Sequence, residues 1–208
     1  MRVNRAIPVT YVALGDSTGA GIGAREGGYV ARLFRRMNER RSGSKLTNLC
    51  VSGATTREVI RNQLRRAIAN KPTLVTLGIG INDIGHGLSP EEFAENLETI
   101  VSQLSRETDA SLVVTNIPDI STAPRIPMMM RSELGRLITL FNQKINEVAT
   151  RHGARVADIF TPTHELLPAH PEYFSGDGFH PSDQGYEVWA EHMWPTVAEA
   201  VGIEAEKP

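Results

Sequence analysis

One cysteine, Cys50, is all the chain has, so no disulfide forms within it, and secretion is neither required nor excluded. Long apolar runs are missing too. No stretch approaches the ~20 residues of a membrane span. Met1–Thr10 holds two arginines but no apolar run ending in a small-residue cleavage site. The simplest expectation is a cytoplasmic protein. Excess charge of one sign is also absent. The 22 Lys and Arg against 24 Asp and Glu leave a net charge of -2, too weak a field to draw nucleic acid. Arginines do cluster, at Arg32, Arg35, Arg36, Arg40 and Arg41 and again at Arg57, Arg61, Arg65 and Arg66. Their helical spacing predicts a solvated outer face in preference to a polyanion site. No internal repeat or low-complexity linker interrupts the chain. Its 208 residues suit one domain, 1–208, whose core needs neither disulfide nor metal.

What is present is an alternation of two patterns. Five short apolar runs, Val9–Leu14, Leu46–Val51, Thr73–Leu77, Ser111–Asn116 and Ala154–Ala157, read as parallel strands covered on both faces. Helical patterns fill the gaps. Gly28–Arg41 is the first, and Ile60, Leu64 and Ile68 mark one face of the second. Ser89-Pro90-Glu91-Glu92 opens the third with a capping box and a proline at the first helical position. Leu134, Ile138, Phe141, Ile145 and Val148 line a longer helix that Gly153 stops. The last runs over Asp183–Trp194, capped by Ser182 and ended or kinked by Pro195. The alternation predicts a doubly wound α/β fold, a flavodoxin-like three-layer αβα sandwich on a five-stranded parallel sheet. Sites in such sheets form at the carboxyl ends of strands, where Ser17, Gly53, Asn82 and Asn116 fall.

Ser17 follows the first strand in Gly15-Asp16-Ser17-Thr18-Gly19-Ala20-Gly21. Gly19, Gly21 and Ala24 have the spacing of a dinucleotide-binding fingerprint, which would make the chain a nucleotide-binding dehydrogenase. That fingerprint should begin at the strand end, and an acidic residue should close the second strand; Cys50-Val51-Ser52 offers none. Alternatively, Ser17 is a nucleophile, or merely a turn residue capping the backbone. The far end of the chain bears on the choice. Asp177-Gly178-Phe179-His180 supplies a carboxylate and an imidazole from one loop ahead of a helix start. A serine, a base, a group to orient the base and spare donors are the parts acyl transfer needs.

Four blocks in order, Ser17 with its turn, Ser52-Gly53-Ala54, Gly80-Ile81-Asn82-Asp83 and Asp177-Gly178-Phe179-His180-Pro181-Ser182, together resemble the GDSL, or SGNH, hydrolase family. Ser17, Gly53, Asn82 and His180 match its four name residues, and Asp177 the Asp of the last block. Thr18 stands where many members have leucine, which touches subfamily and substrate more than chemistry. The resemblance implies a carboxylic ester hydrolase working through a seryl-acyl intermediate. It assigns Ser17, Asp177 and His180 as catalytic residues, and Ser17 N–H, Gly53 N–H and the Asn82 amide as the oxyanion hole. Neutral imidazole accepts the serine proton and returns it to the leaving group, while the carboxylate holds the tautomer. No cofactor or metal is implied. His164, His170 and Asp177 lack a metal-ligand spacing.

The expected partner is a small-molecule ester of short acyl chain. A carbohydrate deacetylase, a thioesterase or lysophospholipase, and an acyltransferase are the alternatives within the family, and a non-catalytic binding relative is a further one. Two loops, 117–130 and 159–175, are expected to shape the pocket, with Leu166-Leu167-Pro168 and Tyr173-Phe174 as a wall beside His180. Met128, Met129 and Met130 either contact an acyl chain or start the fourth helix and pack inward. Asp16 and Asp83 are expected to bond loop backbone. His86 is expected near the site, and His152, His164, His170 and His192 on the surface or at helix ends.

Overall fold

The computed structural model describes residues 7–204. In chain order the elements are β1 (Thr10–Gly15), α1 (Ser17–Ala20), α2 (Tyr29–Arg40), β2 (Lys45–Asn48) and α3 (Thr56–Glu58), which runs through a π-helical turn (Val59–Gln63) into α4 (Leu64–Ala69). Then come β3 (Leu74–Gly78), α5 (Ile81–Gly85), α6 (Pro90–Glu107), β4 (Ser111–Thr115), α7 (Met128–Arg151), β5 (Arg155–Ala157), α8 (Phe160–Leu166) and α9 (Asp183–Ala200). The five strands form one parallel sheet in the order β2-β1-β3-β4-β5. The order reverses at β1, which opens a crevice at the carboxyl ends of β1 and β3.

Strand alternation builds two cores. Val12, Leu14, Val75, Leu77, Leu112 and Val114 face α4, α6 and α7, where Phe93 and Phe141 pack at 4.6 Å between ring centroids. Tyr11, Ala13, Leu74 and Val113 face α2 and α9, where Tyr29 stacks on Trp189. This is the three-layer αβα sandwich that the alternating pattern predicts. At the head of the crevice Gly15 pairs with Gly78. A Cβ on Gly15 would lie 2.2 Å from the Gly78 carbonyl oxygen and its φ is +147°, so only glycine lets the strands meet just below Ser17.

Three expectations need correction. The last helix does not end at Pro195 but continues to Ala200, because Val197 and Ala198 beyond the proline are fully buried and their packing offsets the lost backbone bond. The first arginine cluster is a solvated face only in part, through the exposed Arg35 and Arg40. Arg32 is 4% exposed and bonds Asp183 and Glu187, each at 2.8 Å. Arg36 joins Glu187, and Arg41 reaches the Gly202 carbonyl; the cluster ties α2 to α9. The methionines do start α7 but do not pack inward: Met128, Met129 and Met130 are exposed.

Candidate active site

Ser17 is the first residue of α1, a single turn capped by Asp16, whose carboxylate accepts from the Thr18 amide and hydroxyl. A serine at the start of a helix stands at the crevice with its own N–H unused by the helix. The Gly15 peptide beneath it is held from both sides by the Gln63 side chain, which accepts from Gly15 N–H at 2.9 Å and donates to Gly15 C=O at 2.8 Å. Gln63 ends the π-helical turn, and nothing in the sequence points to it. A polar residue between the apolar markers Ile60 and Leu64 is the one signal available.

His180 comes from the loop before α9. Its Nε2 lies 3.0 Å from Ser17 Oγ and its Nδ1 2.6 Å from Asp177 Oδ2. An ionised carboxylate only accepts, so Nδ1 carries the proton and Nε2 is left to accept from the serine hydroxyl. Asp177 is fixed in turn by Ser175 Oγ and by the N–H groups of Phe179 and His180. Partial burial pushes its pKa up. The bonds from His180, the two backbone amides and Ser175 outweigh this and hold it well below the usual carboxylate range.

Gly53 and Asn82 come from the turns that follow β2 and β3. Gly53 sits at φ +80°, a conformation that favours glycine, and a Cβ there would meet nothing within 4 Å. Asn82, in the first turn of α5, donates an amide hydrogen at 2.9 Å to the carbonyl of Ala54, the residue after Gly53. Neither Ser17 N–H nor Gly53 N–H has an acceptor among the described residues. The structure thus brings Ser17, Asp177 and His180 into one hydrogen-bonded line, with the Ser17 N–H uncommitted beside its hydroxyl. Such an arrangement can activate a hydroxyl and hold a developing oxyanion.

Asp16 and Asp83 bond loop groups: Asp16 binds Thr18, and Asp83 binds the Thr56 amide and hydroxyl. Burial pushes the Asp16 carboxyl up to about 6, offset in part by the Thr18 bonds and the nearby His180 charge. His86 bonds the Asn82 carbonyl through Nδ1. His152, His164 and His170 pair with Glu98, Asp119 and Glu172. His192 is exposed but also borders the cavity described next. Among the described residues no three His, Cys, Asp or Glu side chains converge as metal ligands.

From Ser17 and His180 a cavity of about 60 Å³ extends past Ile79 and Ile117 to Leu166 and Trp189. Its walls are almost wholly apolar, and both predicted pocket loops contribute, 117–130 through Ile117 and Ile120 and 159–175 through Leu166 and Phe174. The three methionines do not reach it.

Residues 13–188 match the model of the GDSL-like Lipase/Acylhydrolase family, a span that runs from β1 into α9 and takes in Ser17, Gly53, Asn82, Asp177 and His180. The chain belongs to that family. It is therefore a carboxylic ester hydrolase of the GDSL type, and the dinucleotide reading is set aside. Gly19 is instead used in packing, since a Cβ there would lie 2.4 Å from Cys50 Sγ. The GDSL chain is 24% identical over 194 residues to an esterase of Pseudomonas aeruginosa, TesA, covering 93% of this chain and 90% of that one. Its fold is shared with an acetylxylan esterase from Geobacillus stearothermophilus at TM-score 0.77 and 20% identity, over 96% and 97% of the two chains. A psychrotrophic esterase from Pseudoalteromonas superposes at TM-score 0.75 and 20% identity, over 93% and 99%. Among the described residues no helix is long and apolar enough to cross a membrane.

Proposed function

We infer that this GDSL hydrolase cleaves esters of short acyl groups, with Ser17 as nucleophile, His180 as general base and Asp177 as the group that orients the imidazole. The observation that carries the assignment is the 3.0 Å contact of Ser17 Oγ with His180 Nε2, backed by the 2.6 Å contact to Asp177. Ser17 Oγ attacks the ester carbonyl carbon as its proton passes to Nε2. The carbonyl oxygen takes the negative charge and is met by Ser17 N–H, Gly53 N–H and the Asn82 amide. Collapse expels the alcohol, which takes the proton from Nε2. Water then repeats the sequence on the acyl-enzyme and releases the acid. In this reading residues 1–208 act as one domain, since the two halves of its site come from opposite ends of the chain.

The acyl group occupies the apolar cavity. At about 60 Å³ that cavity is small. That favours short acyl groups, in line with the likeness to an acetylxylan esterase. An organophosphonate probe should label Ser17 and no other residue. Aryl esters of graded length should give a kcat/KM maximum at short chains, falling once the acyl group outgrows the cavity. Labelling elsewhere, or inactivity at every length, refutes the assignment.

A further inference from the structure

The three methionines that failed to pack inward are unexplained by ester cleavage. Met128, Met129 and Met130 are 83%, 89% and 57% exposed. Five of the six large hydrophobic side chains exposed among the described residues, these three with Ile22 and Val51, lie on segments leaving the carboxyl ends of β1, β2 and β4. That is the edge of the sheet where Ser17 stands; the sixth, Ile7, precedes β1. The segment leading to the methionines is also tied to the catalytic loop, since Arg125 N–H donates to the Gly178 carbonyl at 3.0 Å.

Their surroundings favour negative charge. Neither Arg125 nor Arg131, which flank the methionines, has a carboxylate partner among the described residues. The 24-residue α7 begins at Met128 with no side-chain cap and no acidic residue in its first turn, so its positive end is bare. Consecutive helical positions lie about 100° apart, so the methionines splay around the helix end as an exposed apolar tip. Adjacent apolar side chains beside two arginines without carboxylate partners match a layer with anionic headgroups over an apolar interior. A fluid layer deforms around such a tip.

We propose that this tip seats on an anionic lipid surface and turns the Ser17 edge toward ester-bearing amphiphiles. Its use there rests on the ester-hydrolase reading, but the binding itself does not. The test is co-sedimentation of the Ser17→Ala protein, at low salt, with vesicles of phosphatidylglycerol or of phosphatidylcholine. Retention on the anionic vesicles is expected, with much less on the zwitterionic ones. M128D/M129D should weaken retention by about tenfold or more, and Arg125→Gln by about fivefold. With Ser17 restored, M128D/M129D should cleave a soluble short-chain ester at the unmodified rate, which shows that the fold is intact. Should that variant misfold, M128Q/M129Q takes its place. Absence of binding to anionic vesicles, or binding indifferent to both the methionine and the arginine changes, overturns the proposal. Failure of the unmodified chain to cleave soluble esters would instead refute the assignment of Ser17 and leave the vesicle result standing.

Discussion

Asp16 is the residue at which stability and activity pull apart. It is 2% exposed, and burial raises its carboxyl from the usual 3.8 to about 6. Between those values the folded chain keeps a proton that the unfolded chain has lost. Folding is thus favoured by this group at low pH, and that advantage is lost as pH rises through about 6. The difference is on the order of 3 kcal/mol. Asp16→Asn keeps an oxygen for the Thr18 amide and hydroxyl and never ionises. It should therefore raise the urea midpoint at pH ~8, with the gain shrinking toward zero below pH ~4. An ionised Asp16 near His180 also favours the imidazolium formed during attack, so kcat at pH ~8 should fall in the same variant. Equal urea midpoints for the two proteins at both pH values would mean that Asp16 is not ionising in a desolvated place.

At the scale of elements, what the sequence reveals follows the strength of the local signal. β1, β3 and β4 are legible because burial on both faces leaves unbroken apolar runs such as Tyr11–Leu14, whereas the edge strand β2 is exposed at both ends and spans Lys45–Asn48, stopping short of the expected Val51. The α6 cap is legible because Ser89 and Glu92 bond each other's backbone, as a capping box does. Ser17, Gly53 and Asn82 were visible as blocks at strand ends and Asp177 and His180 as a block before the last helix, but the meeting of Ser17 with His180 was not, since the two positions are 163 apart in sequence. Three things had no local signal. Met128–Met130 are apolar in sequence, yet only the position of α7 against loop 117–127 decides that they face outward. Pro195 breaks an isolated helix but not one held by a core. The π-helical turn at Val59–Gln63 inserts one residue relative to α-helical spacing, and this places Gln63 under Gly15. Gln63→Leu keeps the volume but leaves the Gly15 N–H unpaired in a buried place, while the Gly15 C=O keeps only the Val51 N–H. The expected cost is about 1–3 kcal/mol, read as a lower urea midpoint. A fall in kcat with little change in KM should accompany it, since Gly15 carries Asp16 and Ser17. A Gln63→Leu protein of ordinary stability would show that the bracing contributes nothing.

For the whole molecule, the question is what holds one end of the chain against the other. Ser17 follows the first strand and His180 precedes the last helix, so their 3.0 Å contact depends on how α2 and the loop before it sit against α9. Asp183, the first residue of α9, accepts from the N–H groups of Arg25 and Glu26 at 3.1 and 3.0 Å and from Arg32 at 2.8 Å. Tyr186 donates its hydroxyl to the Ile22 carbonyl at 2.8 Å. Both clamps join the Ser17 loop to the helix that follows His180, and neither touches the cavity. Asp183 is 38% exposed, so its removal lets Arg32 keep Glu187 and costs little stability. Its effect should fall on geometry instead. Small misplacements of reacting groups cost catalysis steeply, so Asp183→Ala should lower kcat by about tenfold to a hundredfold while shifting the urea midpoint only slightly. Phosphonylation of Ser17 should slow by a similar factor, because it needs the same imidazole contact, whereas KM for a short ester should hold near its original value since the acyl cavity is intact. A variant that lost stability and activity in proportion would instead make Asp183 an ordinary helix cap, and the alignment of the two chain ends would have to come from the sheet alone.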